Sequence, residues 1–160
     1  MKGKMSISDL KQRKLQLADS GKRGVRTQFG ALCWRKRADE VQVLLVTSLG
    51  RKRWILPKGW PQDQTTPAKA AKVEAWEEAG VEGKVKPICL GIYSYNKELL
   101  EGPPLPCVVA VFPVKVKKLR KTFPEMGARK RKWFTLEKAA KKVDEPELKS
   151  LLLGFDPASL

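Results

Sequence analysis

The sequence predicts an α/β fold in which a mixed β-sheet lies between helices. Three observations carry that expectation. β-branched and apolar runs stand on both sides of one sharply punctuated helical segment, so strands both precede and follow a helix. The chain has 160 residues, the length of one domain, and 42% of them are apolar, enough for a single core. No internal repeat or low-complexity tract interrupts the pattern.

Residues 1–24 are polar and lysine-rich and read as a basic N-terminal extension, with a short helix expected over 8–18 before the Ser20-Gly21 turn. A single domain is expected over 25–160. Its first two strands are VRTQFGALCWRK and VQVLLVT, joined by the charged turn Arg37-Ala38-Asp39-Glu40. RWILPKG is a short third strand, in which Pro57 ends the pairing and Gly59 allows a backbone turn. After a polar loop, Thr66 supplies a capping hydroxyl and Pro67 the first helical position. The helix then runs to about Ala79, where Gly80 stops it. KVKPICLGIYSYNK and CVVAVFPVKVKK are two long strands, separated by the loop 98–106 with its Gly102-Pro103-Pro104. RKWFTL is a last short strand, followed by helices over 136–142 and 146–153, the second closed by Gly154.

The chain contains no histidine. Ser-His-Asp and Cys-His relays, His-ligated zinc and HExxH helices are therefore excluded, and acid-base work falls to carboxylates, lysines or tyrosines. Cys33, Cys89 and Cys107 are far apart with no CxxC pairing, which points to a reducing compartment. The N-terminal stretch lacks the unbroken apolar core of a secretory signal, and no run of about 18 apolar residues occurs. A cytoplasmic protein with no membrane partner is expected. Its oligomeric state is not legible.

The formal charge of +16 divides unevenly. Residues 1–60 carry +11, residues 61–100 carry −1 and residues 101–160 carry +6. An acidic island of Glu74, Glu77, Glu78 and Glu82 thus sits among the basic runs 35–37, 51–53, 115–121 and 129–132. Such a surface suits a polyanion, and the island suits a cation.

On the central helix, Glu74, Glu77 and Glu78 stand at i, i+3 and i+4, within an arc of about 100°. Ala68, Ala71, Ala75 and Ala79 share a second arc of about 80°, so the helix is expected to lie close to a sheet on that arc and to hold the carboxylates outward. Like charges at i, i+4 cost roughly 0.2–0.5 kcal/mol each on an exposed helix. A hard cation such as Mg²⁺ or Mn²⁺ would offset that cost. So would Lys69, Lys72 or a neighbouring arginine on an ordinary solvated face.

The segment from Gly59 to Val81 resembles the Nudix box, G-x5-E-x7-R-E-U-x-E-E-x-G-U, where U is aliphatic. Gly59, Glu74, Glu77, Glu78, Gly80 and Val81 match without a gap, whereas Thr65 stands in place of Glu and Val73 in place of Arg. VLLVTSLGRKRWILPKG before the box and RKRKWFTLEKAAK after it look like the diphosphoinositol polyphosphate phosphohydrolase branch of the family. The basic residues which that branch carries ahead of its second long strand are replaced here by Pro103, Pro104, Leu105 and Pro106. The resemblance implies a Nudix-type α/β/α sandwich and hydrolysis of a phosphoanhydride by water attacking phosphorus. It further implies a metal held by Glu74, Glu78 and the backbone carbonyl of Lys58, with Glu77 as general base or second-metal ligand. Arg26, Arg51, Arg53, Arg129, Lys130 and Arg131 match segments that lie near substrate in that branch. Arginine suits bidentate phosphate contact, although each cation could equally be plain solvated surface. Tyr93 and Tyr95 could stack a base or simply pack within their strand.

Two functions follow. The first is a metal-dependent pyrophosphohydrolase acting on a highly anionic small molecule, such as a diphosphoinositol polyphosphate or a dinucleoside polyphosphate. The second is a Nudix-like module that binds RNA or another polyanion without turnover, suggested by the net charge and the departures at Thr65 and Val73.

Overall fold

A computed structural model describes residues 26–160 of the chain. The helix expected over 8–18 lies outside the described residues.

The first hairpin joins β1 (Thr27–Arg37) to β2 (Glu40–Thr47) through Ala38 and Asp39, both left-handed at φ 50° and 63°. Paired positive φ angles give a two-residue turn whose twist matches that of the strands it connects. The expected third strand is split in two. β3 (Trp54–Ile55) pairs with the end of β2, and β4 (Lys58–Gly59) pairs with Phe29 and Gly30 of β1. Pro57 has no N–H to continue a ladder, but its carbonyl accepts from the Ala31 N–H at 2.9 Å. The chain thereby crosses from β2 to β1 and delivers Lys58-Gly59 beside the start of β1.

Helix α1 (Pro67–Ala79) has the expected bounds: the Thr66 hydroxyl accepts from the Lys69 N–H at 3.3 Å, and Gly80 turns left-handed at φ 66°. The expected strand over 84–97 is two strands, β5 (Val81–Val85) and β6 (Gly91–Lys97), with the donor-less Pro87 between them. Both pair with the long β7 (Leu105–Leu119), β6 along its first half and β5 along its second. Leu105 and Pro106, expected in the loop, extend β7. β8 (Arg131–Thr135) pairs with β2, and the helices α2 (Leu136–Lys142) and α3 (Pro146–Leu153) follow as expected.

The sheet order is β3-β2-β1-β7-β5, with β1 and β7 parallel and the other pairs antiparallel. Alternation along the strands builds two cores. Phe29, Ala31, Cys33, Leu44 and Val46 face α1, while Leu32, Trp34, Val43 and Leu45 face α2 and α3 with Leu148 and Leu152. The result is the expected α/β/α sandwich. Among the described residues no helix is long and apolar enough to cross a membrane.

Candidate active site

The site forms where α1 passes β4. Ala68, Ala70, Ala71, Ala75 and Ala79 are buried against the sheet, and methyl groups let the helix axis approach closely. Glu74 is then pressed so near β4 that a Cβ on Gly59 would overlap its carboxyl. Only glycine permits that approach.

The carboxylates are not simply turned outward as the sequence suggests. Glu78 is 6% exposed; its Oε2 accepts from the Lys58 N–H at 3.2 Å and its Oε1 from Arg129 Nη2 at 3.3 Å. Burial pushes the Glu78 carboxyl up to about 7 despite the pull of Arg129 and Lys58. Glu74 is pushed up to about 7 by burial and then by the charges of Glu77 and Glu125. The Lys58 ammonium is driven down to about 8 by burial, against the attraction of Glu78. Arg129 is held on three sides: Nη1 donates to the Thr47 carbonyl at 3.1 Å, Nε reaches Glu125 at 3.4 Å, and Nη2 meets Glu78. It is a fixed cation rather than a waving surface group.

Two clefts adjoin here. A pocket of about 370 Å³ is lined by Glu74, Glu78, Lys58, Gly59, Trp60 and Gln28. A larger one of about 780 Å³ is lined by Arg51, Arg53, Lys58, Lys97, Arg129 and Tyr95. Lys58, Lys97 and Arg129 belong to both, so the acidic pocket opens through a wall of cations. Aromatic rings steady two of them: Lys58 Nζ lies 4.7 Å from the Tyr95 ring centre, and Lys97 Nζ lies 5.9 Å from that of Trp60. The Tyr95 hydroxyl donates in turn to Gln28 Oε1 at 2.5 Å.

Of the residues singled out in the sequence, Glu74, Glu78, Lys58, Arg51, Arg53 and Arg129 are brought together. Arg51 pairs with Glu98 at the rim, and Arg53 reaches Asp144 at 3.1 Å. Glu77 is half-buried beside the pocket without lining it, and its backbone carbonyl accepts from the Glu125 N–H at 2.9 Å. Three cations take other places. Arg131 Nη1 donates to the Ala79 carbonyl at 2.6 Å and its guanidinium stacks on Phe123, so it fastens the end of α1. Lys130 pins the end of β2 through its backbone, exchanging hydrogen bonds with Thr47, and its side chain points to solvent. Arg26 is exposed at the start of β1, outside both linings. Tyr93 is core, at 3% exposure, whereas Tyr95 lines the larger cleft.

Sequence reasoning missed Lys97, Trp60, Gln28 and Glu125. Lys97 shares strand alternation with Tyr93 and Tyr95, and Trp60 directly follows Gly59, so both carried a readable signal. Gln28 and Glu125 carried none. At the two departures from the box, Thr65 Oγ1 donates to the Asp63 carbonyl at 3.4 Å, and Val73 joins Trp76 and Val81 around an apolar groove on the other flank of α1.

The donor set suits a hard divalent cation. Two carboxylates one helical turn apart, each raised by burial and by neighbouring negative charge, would both be relieved by it. Among the described residues no three His, Cys, Asp or Glu side chains converge to hold an ion alone. The remaining ligands would be backbone oxygen and water, which Mg²⁺ readily keeps.

Fold and pocket together define an α/β/α protein with an acidic site carried on one helix beneath a cationic wall. The NUDIX domain model matches residues 26–154, and the chain belongs to the Nudix family. It is 36% identical over 120 residues to Nudix hydrolase 16, mitochondrial, of Arabidopsis thaliana, a match covering 72% of this chain and 66% of that protein. The chain therefore spans about two thirds of that relative's length. It is 30% identical over 144 residues to diphosphoinositol polyphosphate phosphohydrolase 3-alpha of Mus musculus, covering 85% of this chain and 84% of that one. Among solved structures, a C. elegans Ap4A hydrolase binary complex superposes with a TM-score of 0.60 at 26% identity, over 81% of this chain and 93% of the other.

Proposed function

We propose that the chain is a divalent-metal-assisted pyrophosphohydrolase that cleaves a phosphoanhydride bond in a highly anionic small molecule, of the diphosphoinositol polyphosphate or dinucleoside polyphosphate type. One observation carries the reading: Lys58, Lys97 and Arg129 wall both the carboxylate pocket and the larger cleft. A phosphate chain lying against that wall brings its anhydride to Glu74 and Glu78 while its other phosphates meet Arg51 and Arg53. The names of the mouse and nematode relatives support the same substrate classes.

Glu74, Glu78 and the Lys58 carbonyl are the groups that would hold Mg²⁺ or Mn²⁺. The ion would neutralise phosphate oxygens and acidify water. The chain's own part is positioning and charge: Arg129, braced by Thr47 and Glu125, faces the phosphates without needing to reorganise. Glu77, next to the pocket, is the proposed general base or second-metal ligand. A cytoplasmic setting accords with the three free thiols.

The test is phosphate release with Mg²⁺ or Mn²⁺ across inositol pyrophosphates, dinucleoside polyphosphates, nucleotide sugars and triphosphorylated RNA, beside Glu78→Gln with circular dichroism on both proteins. Metal-dependent turnover that Glu78→Gln abolishes in a folded chain is expected. No turnover on any substrate sinks the proposal. A second reading, polyanion binding without hydrolysis, draws on the two donors already engaging Glu78. Tight binding of the same substrates with no product would establish it.

A further inference from the structure

The far end of the sheet carries a feature that the pocket does not use. Along β1, Leu32 and Trp34 face α2 and α3, and alternation puts Lys36 on that same face. Lys115 of β7 lies beside Trp34 in the parallel register, its Nζ 5.5 Å from the indole centre. Lys84 of β5 is directly opposite Lys115, and Lys86 continues on the same face, its N–H donating to the Pro113 carbonyl at 3.1 Å. Phe155 covers Trp34 edge-on at 5.9 Å, and among the described residues the lysines beyond it remain exposed. All four are exposed, and none has an ion pair among the described residues. The nearest carboxylate on β5, Glu82, is taken by Arg120 at 2.8 Å.

Directly opposed like charges destabilise a sheet. Here Lys84 and Lys115 stand opposed about 5 Å apart with no counter-charge among the described residues, and Lys86 and Lys36 each lie one same-face step of about 7 Å along the strand, Lys86 beyond Lys84 and Lys36 beyond Trp34. A linear polyanion laid over three strands would neutralise them together. No exposed aromatic ring lies among the four to stack a base, so contact would be with phosphates and independent of sequence. Every unit of a nucleic-acid backbone carries a negative charge, so a short stretch meets all four lysines, whereas a peptide would need an unbroken run of acidic residues to do the same. Gln28 lines the carboxylate pocket eight residues before Lys36 on β1, so the patch lies about 26 Å from the pocket.

We propose that Lys36, Lys84, Lys86 and Lys115 form a phosphate-backbone-binding surface for single-stranded nucleic acid, separate from the carboxylate pocket. The test uses the full chain, with its basic extension intact, and a fluorescein-labelled oligouridine read by anisotropy over a salt series. Lys84→Gln with Lys115→Gln removes two phosphate contacts. The slope of log K against log salt should become shallower by about 1.4, and affinity at about 50 mM salt should fall roughly 60-fold. Phosphoanhydride hydrolysis by the same variant should not change. Circular dichroism should report an intact fold, with a Tm equal to or above the parent's once the repulsion is gone. An unchanged affinity or salt slope overturns the proposal. So does absence of binding at low salt, or polyglutamate that binds more tightly than RNA and loses affinity in the same variant.

Discussion

In metal-free protein, Glu78→Gln should make the chain more stable, and only where the carboxylate would be ionised. The Glu78 carboxyl is pushed up to about 7 in the fold from its ordinary 4.5, chiefly by burial. A raised carboxyl favours folding while it is protonated. That advantage is whole below its unfolded value and is lost as pH rises through 7. Glutamine mimics the protonated acid and escapes the loss. Linkage between 4.5 and 7 gives a gain on the order of 3 kcal/mol near pH 8 and almost none near pH 4. In a chain of this size the larger figure corresponds to a Tm higher by roughly 6–12 °C. Thermal unfolding in EDTA at the two pH values measures it. A variant no more stable than the parent near pH 8, or one equally stabilised near pH 4, would refute the idea that Glu78 is a carboxylate held ionised at a cost.

Gly59→Ala should displace the Glu74 carboxyl, since the new methyl overlaps it, while the backbone keeps its fold. Misplacing one such group should lower kcat roughly 100-fold with little change in Tm. Arg53→Ala should raise KM about tenfold for a polyphosphate substrate and leave kcat within about twofold, because Arg53 lines the cleft away from the acidic helix. Gly80→Ala should cost about 1–3 kcal/mol in urea unfolding: φ there is 66°, and the added Cβ would lie 2.5 Å from Phe123 and 2.9 Å from the Arg120 carbonyl.

What could be read from the sequence was local. Thr66-Pro67 and Gly80 set both ends of α1 because capping involves residues within a turn of one another. The i, i+3, i+4 spacing gave the acidic arc for the same reason. The depth of Glu78 was not legible, since it depends on the Leu56-Pro57 crossover that carries β4 to β1 and on Arg129, which stands 51 residues away. Within the run 129–132, alternation separates neighbours but does not say which cation turns inward. Arg129 found Glu78, Thr47 and Glu125, whereas Arg131 found the last carbonyl of α1. Lys97 and Trp60 meet only because β6 and the segment after β4 flank the same opening.

The alanine underside of α1 has a cost of its own. Five buried methyl groups have no rotamers to settle, so the helix sits on the sheet in one way and the glutamates inherit that definition. They also bury little apolar surface, roughly 4 kcal/mol in all. That is modest against the ordering of thirteen residues. The helix that aims the chemistry is thus sharply located yet thinly glued, and its amides should exchange with solvent through local opening well before those of the central strands β1 and β7.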